Sequence, residues 1–270
     1  MAALTYPVID PVLFALGPFA VRWYGLAYVA GFVIAILLVS RLNTRWNVGL
    51  SEDDVFNMFI YGVLGLIIGA RVGYMLFYGT QQLLSDPLSL FRMTQGGMSF
   101  HGGLAGILIA GWLLSRRIGI PMLRIADLVA VGAPAGLFFG RIANFINGEL
   151  WGKTTDLPWG MVFPGAGPLP RHPSQLYEAV LEGIVLLVVM LLLAQRKRPD
   201  GEMLGWLLTL YGIFRFAVEF VREPDAHLGA LLGPLSMGQL LTVPVLVVGV
   251  LLLVRTRAHS RDEEDMQTGD

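Results

Sequence analysis

The chain contains no cysteine. That excludes disulfides, thiolate metal sites and a cysteine nucleophile, and it means that any thiol in the chemistry belongs to a substrate. Charge is scarce as well: 14% of the 270 residues are Asp, Glu, Lys or Arg, where a soluble domain carries about 25%. The net charge of -1 offers no bulk attraction to nucleic acid. Four histidines without an HExxH pattern give no reason to expect a metal centre, and nothing calls for another cofactor. A basic n-region is missing ahead of the first apolar segment, so that segment is expected to stay as a membrane span rather than be cleaved.

What the chain has in abundance is apolar. Hydrophobic residues make up 55%, and mean hydropathy is +0.64. Seven stretches are long and apolar enough for helices of about 20 residues, near 18–40, 55–78, 97–115, 125–147, 176–195, 203–221 and 236–254. The glycine-rich third is the weakest of them. Residues 78–97 read as surface structure at the membrane face, and the Pro- and Gly-rich insert 148–174 as a small cap outside the membrane. The expected fold is therefore an all-α polytopic membrane protein: seven transmembrane helices with a small extracytoplasmic cap. One transmembrane domain fills residues 1–255, and a charged cytoplasmic tail, 256–270, is expected to be disordered.

Lys and Arg in the short loops set the orientation. Arg41, Arg45, Arg116, Arg117, Arg124, Arg196, Lys197, Arg198, Arg255, Arg257 and Arg261 fall on one side, and Arg92, Lys153, Arg171 and Arg222 on the other. Eleven against four puts the N-terminus outside and the C-terminus in the cytoplasm. With that orientation, Arg71, Arg141, Arg215 and Glu219 lie in the outer halves of their spans, and Arg22-Trp23-Tyr24 and Ser99-Phe100-His101 open two others at the same side. An arginine at such depth costs roughly 2.5–3.5 kcal/mol on insertion scales. Isolated snorkelling side chains would not need to agree on one leaflet, so the agreement points to a site.

Four stretches carry the chemistry. GRIANFINGELWG, residues 140–152, puts Arg141, Asn144, Asn147 and Glu149 at the end of an apolar run. YGIFRFAVEFVREPD places Tyr211, Arg215, Glu219 and Arg222 along one helical face, with Arg215 and Glu219 four apart and able to pair. GGMSFHGGLAG sets His101 between glycines that leave room for a lipid or a helix. RHPSQLYE, residues 171–178, reads as a helix start with Ser174 as N-cap and Glu178 in the first turn. Bland readings stand beside these: a structural ion pair, a core histidine, and, for Tyr24, an interfacial anchor.

All four stretches, in order and over nearly the whole chain to about residue 255, resemble the prolipoprotein diacylglyceryl transferases. The thirteen-residue motif is matched at Gly140, Arg141, Ala143, Asn144, Phe145, Ile146, Asn147, Glu149 and Gly152. The resemblance implies an enzyme of the bacterial inner membrane that moves the diacylglyceryl group of phosphatidylglycerol to a thiol. The acceptor would be the lipobox cysteine of a prolipoprotein signal peptide, and glycerol 1-phosphate the other product. It also implies that Tyr24, His101, Asn144, Asn147, Glu149, Gly152, Tyr211, Glu219 and Arg222 belong to the functional set around Arg141 and Arg215. Arginine's fork suits the leaving phosphate, so Arg141 and Arg215 are the expected clamp. His101 is the candidate base for the thiol, with Glu149 and Tyr24 as alternatives, and Arg71 has no assigned role. The competing class is a transporter, which would put paired polar residues at the midplane and carry repeat symmetry; neither is evident.

Overall fold

A computed structural model describes residues 4–17, 19–93, 96–223 and 236–268. It is mostly helical, and the chain divides into two compact units, Asn47–Ala126 and the pair of segments Met1–Trp46 and Asp127–Asp270.

The Asn47–Ala126 unit is a helical hairpin with a looped tip. Helix α2, Glu52–Phe77, starts on a capping box: Ser51 accepts from the Asp54 amide, and the Asp54 carboxylate accepts from the Ser51 amide. Glu52, Asp53 and Asp54 fill its first turn, where the helix dipole favours acids. Helix α4, Phe100–Ile118, starts at Ser99, whose hydroxyl accepts from Gly102, and stops at Gly119 in the left-handed conformation. The two helices approach backbone to backbone. Gly65, Gly69 and Gly73 on α2 face Gly102, Gly106 and Ala110 on α4, and a Cβ at Gly65 would lie 2.6 Å from the Gly106 oxygen. Small residues four apart allow that approach, as in helix pairs within lipid. Between them come α3, Thr80–Ser85, and a 3-10 turn, Pro87–Phe91.

The larger unit holds the remaining helices: α1, Trp23–Trp46; most of α5, Met122–Ile146; α6, Ser174–Glu178; α7, Leu186–Leu193; α8, Glu202–Val218; and α9, Met237–Thr268. A π-helical segment, Ala179–Val185, joins α6 to α7 in one rod. Glycine again sets the closest approaches: a Cβ at Gly132 would meet Ala35 of α1 at 3.0 Å, and one at Gly183 would meet Phe138 of α5 at 2.6 Å. Asp127 is wholly buried in α5 and takes the amides of Gly201 and Leu204, satisfying the open N-terminus of α8. Strands are few and short. β2, Val12–Leu16, and β3, Phe19–Arg22, form a hairpin leading into α1, and β1, Leu4–Thr5, pairs in parallel with β4, Met161–Val162, of the insert.

Helices stand at all seven expected positions, and five of them are long and apolar enough to cross a membrane. The chain is thus a multi-pass membrane protein. The others are α4, which ends on Arg116 and Arg117, and α8, whose 17 residues reach only about 26 Å at 1.5 Å per residue. Two expectations differ from what is seen. The single body to residue 255 resolves into two compact units. The residues expected to form a disordered tail continue α9 to Thr268; residues 256–268 lack Gly and Pro and are rich in good helix formers.

Candidate active site

The larger unit gathers six charged side chains from four pieces of helix and the residues just past the last of them. Arg141 comes from the end of α5, Glu178 from α6, Glu182 from the π segment, Arg215 from α8, and Glu219 and Arg222 from just past its end. Glu178 and Glu182 are completely enclosed, 1% and 0% exposed. Arg141 Nε lies 2.8 Å from Glu178 Oε2, and its Nη2 lies 3.6 Å from Glu182 Oε2. Arg215 Nη1 donates to Glu178 Oε1 at 2.5 Å, and its Nη2 lies 2.9 Å from Glu219 Oε2. Arg222 Nη1 stands 3.9 Å from Glu178 Oε1. Glu178 is therefore the common partner of three arginines. Three guanidinium groups and three carboxyl groups stand together, a pairing that lowers the cost of keeping such groups away from water. Tyr211 is within electrostatic range of Arg141, Arg215, Glu178 and Glu182.

The two central arginines are not held alike. Arg215 has both Nη atoms committed to carboxylates, and one of those contacts is an aligned hydrogen bond. Arg141 makes ion pairs through Nε and Nη2, while its Nη1 has no partner among the described residues. Its contact with Glu178 is close, yet Glu178 Oε2 accepts no aligned hydrogen bond there. Arg141 is also the most exposed of the three, at 17%. It is the guanidinium that can still take an anion.

Asn144, Asn147 and Glu149 form a second group beside it. Both amides donate to Glu149 Oε1, at 2.8 and 3.3 Å, so they orient this carboxylate rather than an arginine. The chain then turns through Leu150 at φ 60, a left-handed conformation costly for leucine. Two buried side chains hold that turn: Gln175 donates to the Glu149 carbonyl at 2.6 Å, and Ser174 to the Leu150 carbonyl at 3.0 Å. This corrects the expected helix start. Pro173 occupies the cap position, and the Ser174 hydroxyl is taken by the strained turn instead of by its own helix. Gly152 bridges to Arg222 and donates to the His172 carbonyl, and a Cβ there would lie 2.5 Å from the Val221 oxygen. Its lack of a side chain is what lets the insert close against residues 221–222. His172 meets the Tyr177 hydroxyl at 3.2 Å, and partial burial pushes its imidazole pKa down from the ordinary histidine value. At the other end of the insert, the buried Tyr6 hydroxyl shares its proton between the Phe145 and Ile146 carbonyls, the open end of α5.

Tyr24, at the start of α1, bonds to the Tyr28 hydroxyl at 3.2 Å and lies within electrostatic range of Glu149 and Arg141. Two residues belong to the smaller unit. His101, in the first turn of α4, is exposed and lines a cleft of about 670 Å³ with Gly69, Gly73, Phe77, Tyr78 and Ser99. Its ring makes no hydrogen bond among the described residues. Arg71 is 3% exposed and donates to the carbonyls of Ser89, Leu90, Arg92, Gly96 and Gly97.

Residues 11–255 match the family described as prolipoprotein diacylglyceryl transferase. Three relatives carry the name phosphatidylglycerol–prolipoprotein diacylglyceryl transferase. The protein of Geobacter sulfurreducens is 51% identical over 253 residues, covering 93% of this chain and 96% of its own. That of Nitratidesulfovibrio vulgaris is 53% identical over 255 residues, covering 93% and 95%. That of Vibrio atlanticus is 48% identical over 267, covering 98% of both. The chain belongs to the prolipoprotein diacylglyceryl transferase family.

Two members of the arginine cluster are not among the site residues expected from the sequence. Glu178 reads as an ordinary helix-start acid in RHPSQLYE, and Glu182 carries no motif at all. The available signal for Glu182 in this prolipoprotein diacylglyceryl transferase family member is its setting: it is the one ionisable residue between Ala179 and Leu193. An acid in such a run is a functional-site candidate by default, with a cationic partner to be sought.

Proposed function

We propose that this protein transfers the diacylglyceryl group of phosphatidylglycerol to the thiol of a prolipoprotein's lipobox cysteine. The observation that carries the reading is the partly open Arg141 backed by two enclosed carboxylates. The reaction breaks the bond between the glycerol C3 carbon and the phosphate ester oxygen and forms a carbon–sulfur bond. The thiol gives up one proton, and the phosphodiester, with one negative charge, leaves as glycerol 1-phosphate with two. Arg141 receives the phosphate through Nη1, which has no partner among the described residues, and the developing charge is met by a guanidinium already fixed in place. Arg215, held on both sides, supplies a stationary positive charge. Glu149, steadied by Asn144 and Asn147, and Tyr24 line the approach, and Tyr211 and Arg222 complete the wall.

His101 takes the thiol's proton, a role suited to an imidazole whose ring makes no competing hydrogen bond among the described residues. A His101→Gln variant should be slow at neutral pH and recover partly as pH rises toward about 8.5, where solvent deprotonates the thiol itself. A variant-to-wild-type ratio that stays flat with pH would move the base to Glu149 or Tyr24.

Seven helices span the plasma membrane in this reading, with the N-terminus and the 148–174 insert outside and the C-terminus in the cytoplasm. The arginine cluster then faces the outer leaflet, where an exported lipid-borne phosphate and a translocated signal peptide meet. The test is direct. Purified protein, phosphatidylglycerol and a lipobox peptide should yield a peptide heavier by one diacylglyceryl group, and a cysteine-to-serine peptide should yield none. No mass shift with folded protein would rule the activity out.

A further inference from the structure

Arg215 is held in place by two carboxylates, and one of them, Glu219, has a seat of its own. Its side chain is 6% exposed. One oxygen lies 2.9 Å from Arg215 Nη2, and the other accepts from the Ser236 hydroxyl at 2.9 Å. Ser236 precedes α9, and its hydroxyl also accepts the Gln239 amide at 3.1 Å while the Gln239 side chain accepts from the Ser236 amide at 3.1 Å. This is a reciprocal helix cap, and it fixes the serine rotamer. A hydroxyl has one proton, and here that proton goes to Glu219. Glu219 also lies against Gly238: a Cβ on that residue would meet Oε1 first, and would lie 2.5 Å from the carboxyl carbon and 2.8 Å from Oε2. The carboxylate thus rests on bare backbone at the start of α9, where the unpaired amides of a helix end favour negative charge.

We propose that Ser236 and Gly238 are positioning residues for the transfer reaction, acting through Glu219 to fix the plane of the Arg215 guanidinium. The inference rests on the function proposed above and extends it to a segment that no motif in the chain marks. The geometry requires both features. Ser236 sets where one oxygen stands, and Gly238 leaves the space the carboxylate occupies. A methyl group at 238 would need about 1 Å more than is present, since carbon atoms settle near 3.5–4.0 Å apart. Glu219 would be displaced by that amount, and Arg215 would lose one of its two anchors. A misplacement of about 1 Å in such an assembly can cost about a hundredfold in rate.

The test uses the full chain in detergent with phosphatidylglycerol and a lipobox peptide. Gly238→Ala should lower kcat about a hundredfold. Ser236→Ala should lower it about tenfold, the usual consequence of losing a hydrogen bond to a charged group, while Ser236→Thr, which keeps the hydroxyl, stays within about threefold. KM for the lipid should change little in all three, because Arg141 still receives the phosphate. Unchanged kcat in Gly238→Ala and Ser236→Ala overturns the proposal. So does an equal loss in Ser236→Ala and Ser236→Thr, which would mark a packing effect. If Gly238→Ala yields no folded protein, the two serine variants decide alone. Wild type inactive on phosphatidylglycerol would instead sink the parent function, a separate outcome.

Discussion

Arg71 and Arg141 are both arginines set deep in apolar helices, and their surroundings give them opposite uses. A guanidinium has five N–H donors. Arg71 makes five donations, all to carbonyls of the 89–97 segment, so nothing remains to offer a ligand. It folds the chain between α2 and α4 around itself. Arg141 keeps Nη1 without a partner among the described residues. The same substitution should therefore separate them. Arg71→Lys leaves carbonyls unpaired and should cost about 1–3 kcal/mol of stability, read as a lower melting temperature in detergent, with activity falling only as folded protein is lost. Arg141→Lys should leave melting nearly unchanged and cut the transfer rate about 10²–10³-fold, because an ammonium keeps the charge but not the fork. Near-normal turnover in folded Arg141→Lys would remove it from the clamp. Sequence alone marks both residues as costly, but it cannot assign their partners. Those of Arg71 lie 18 to 26 residues along the chain, from Ser89 to the two glycines that open GGMSFHGGLAG, and nothing in that stretch names an arginine as its partner. Those of Arg141 are Glu178, which looks like an ordinary helix-start acid, and Glu182, which stands out by its apolar setting but names no partner.

At the level of elements, the glycines of α2 and α4 act as contact surface. GGMSFHGGLAG suggests open room around His101, and the cleft bears this out on one side. On the other side the same residues are consumed by helix pairing, which follows from the spacing Gly65, Gly69, Gly73 against Gly102, Gly106, Ala110. A Cβ at Gly106 would lie 2.9 Å from both the Gly65 carbonyl carbon and Gly69 Cα, backbone atoms that cannot turn aside. Gly106→Ala should therefore destabilise the protein by about 1–3 kcal/mol, as overpacking does. Gly62, on α2 but off the contact row, has nothing within 4 Å of its would-be Cβ. Gly62→Ala should be neutral or stabilising by about 0.5–1 kcal/mol, since alanine is the better helix former. Thermal melts of the two variants side by side check the claim, and equal behaviour would refute it. The π segment Ala179–Val185 was not legible in the same way. Its apolar run fits any helix, and only the packed structure shows the wider turn that carries Glu182 beside Arg141.

For the whole molecule, hydropathy and loop charge carry most of the information because lipid leaves so few choices: every backbone group must be satisfied within helices. That is why helices stand at all seven expected positions. It is also why the division into two compact units stays hidden, since both are written in the same apolar composition. Orientation rests on a different quantity, the cost of moving Lys and Arg across the bilayer. Eleven such residues flank one set of helix ends and four the other, and each strands a charge in the translocated loop if the chain is inverted. Because the protein has no cysteine, each introduced thiol reports a single position. Asp156→Cys in the insert and Val8→Cys ahead of the first hairpin are exposed and should react with a membrane-impermeant maleimide in intact cells. Lys197→Cys, between α7 and α8, should react only after the membrane is opened. Labelling of Lys197→Cys in intact cells with protection of Asp156→Cys would invert the protein. The arginine cluster, which lies next to the insert through the Gly152–Arg222 bridge, would then face the cytoplasm, and an exported signal peptide could not reach it. The orientation and the proposed acceptor therefore stand or fall on the same experiment.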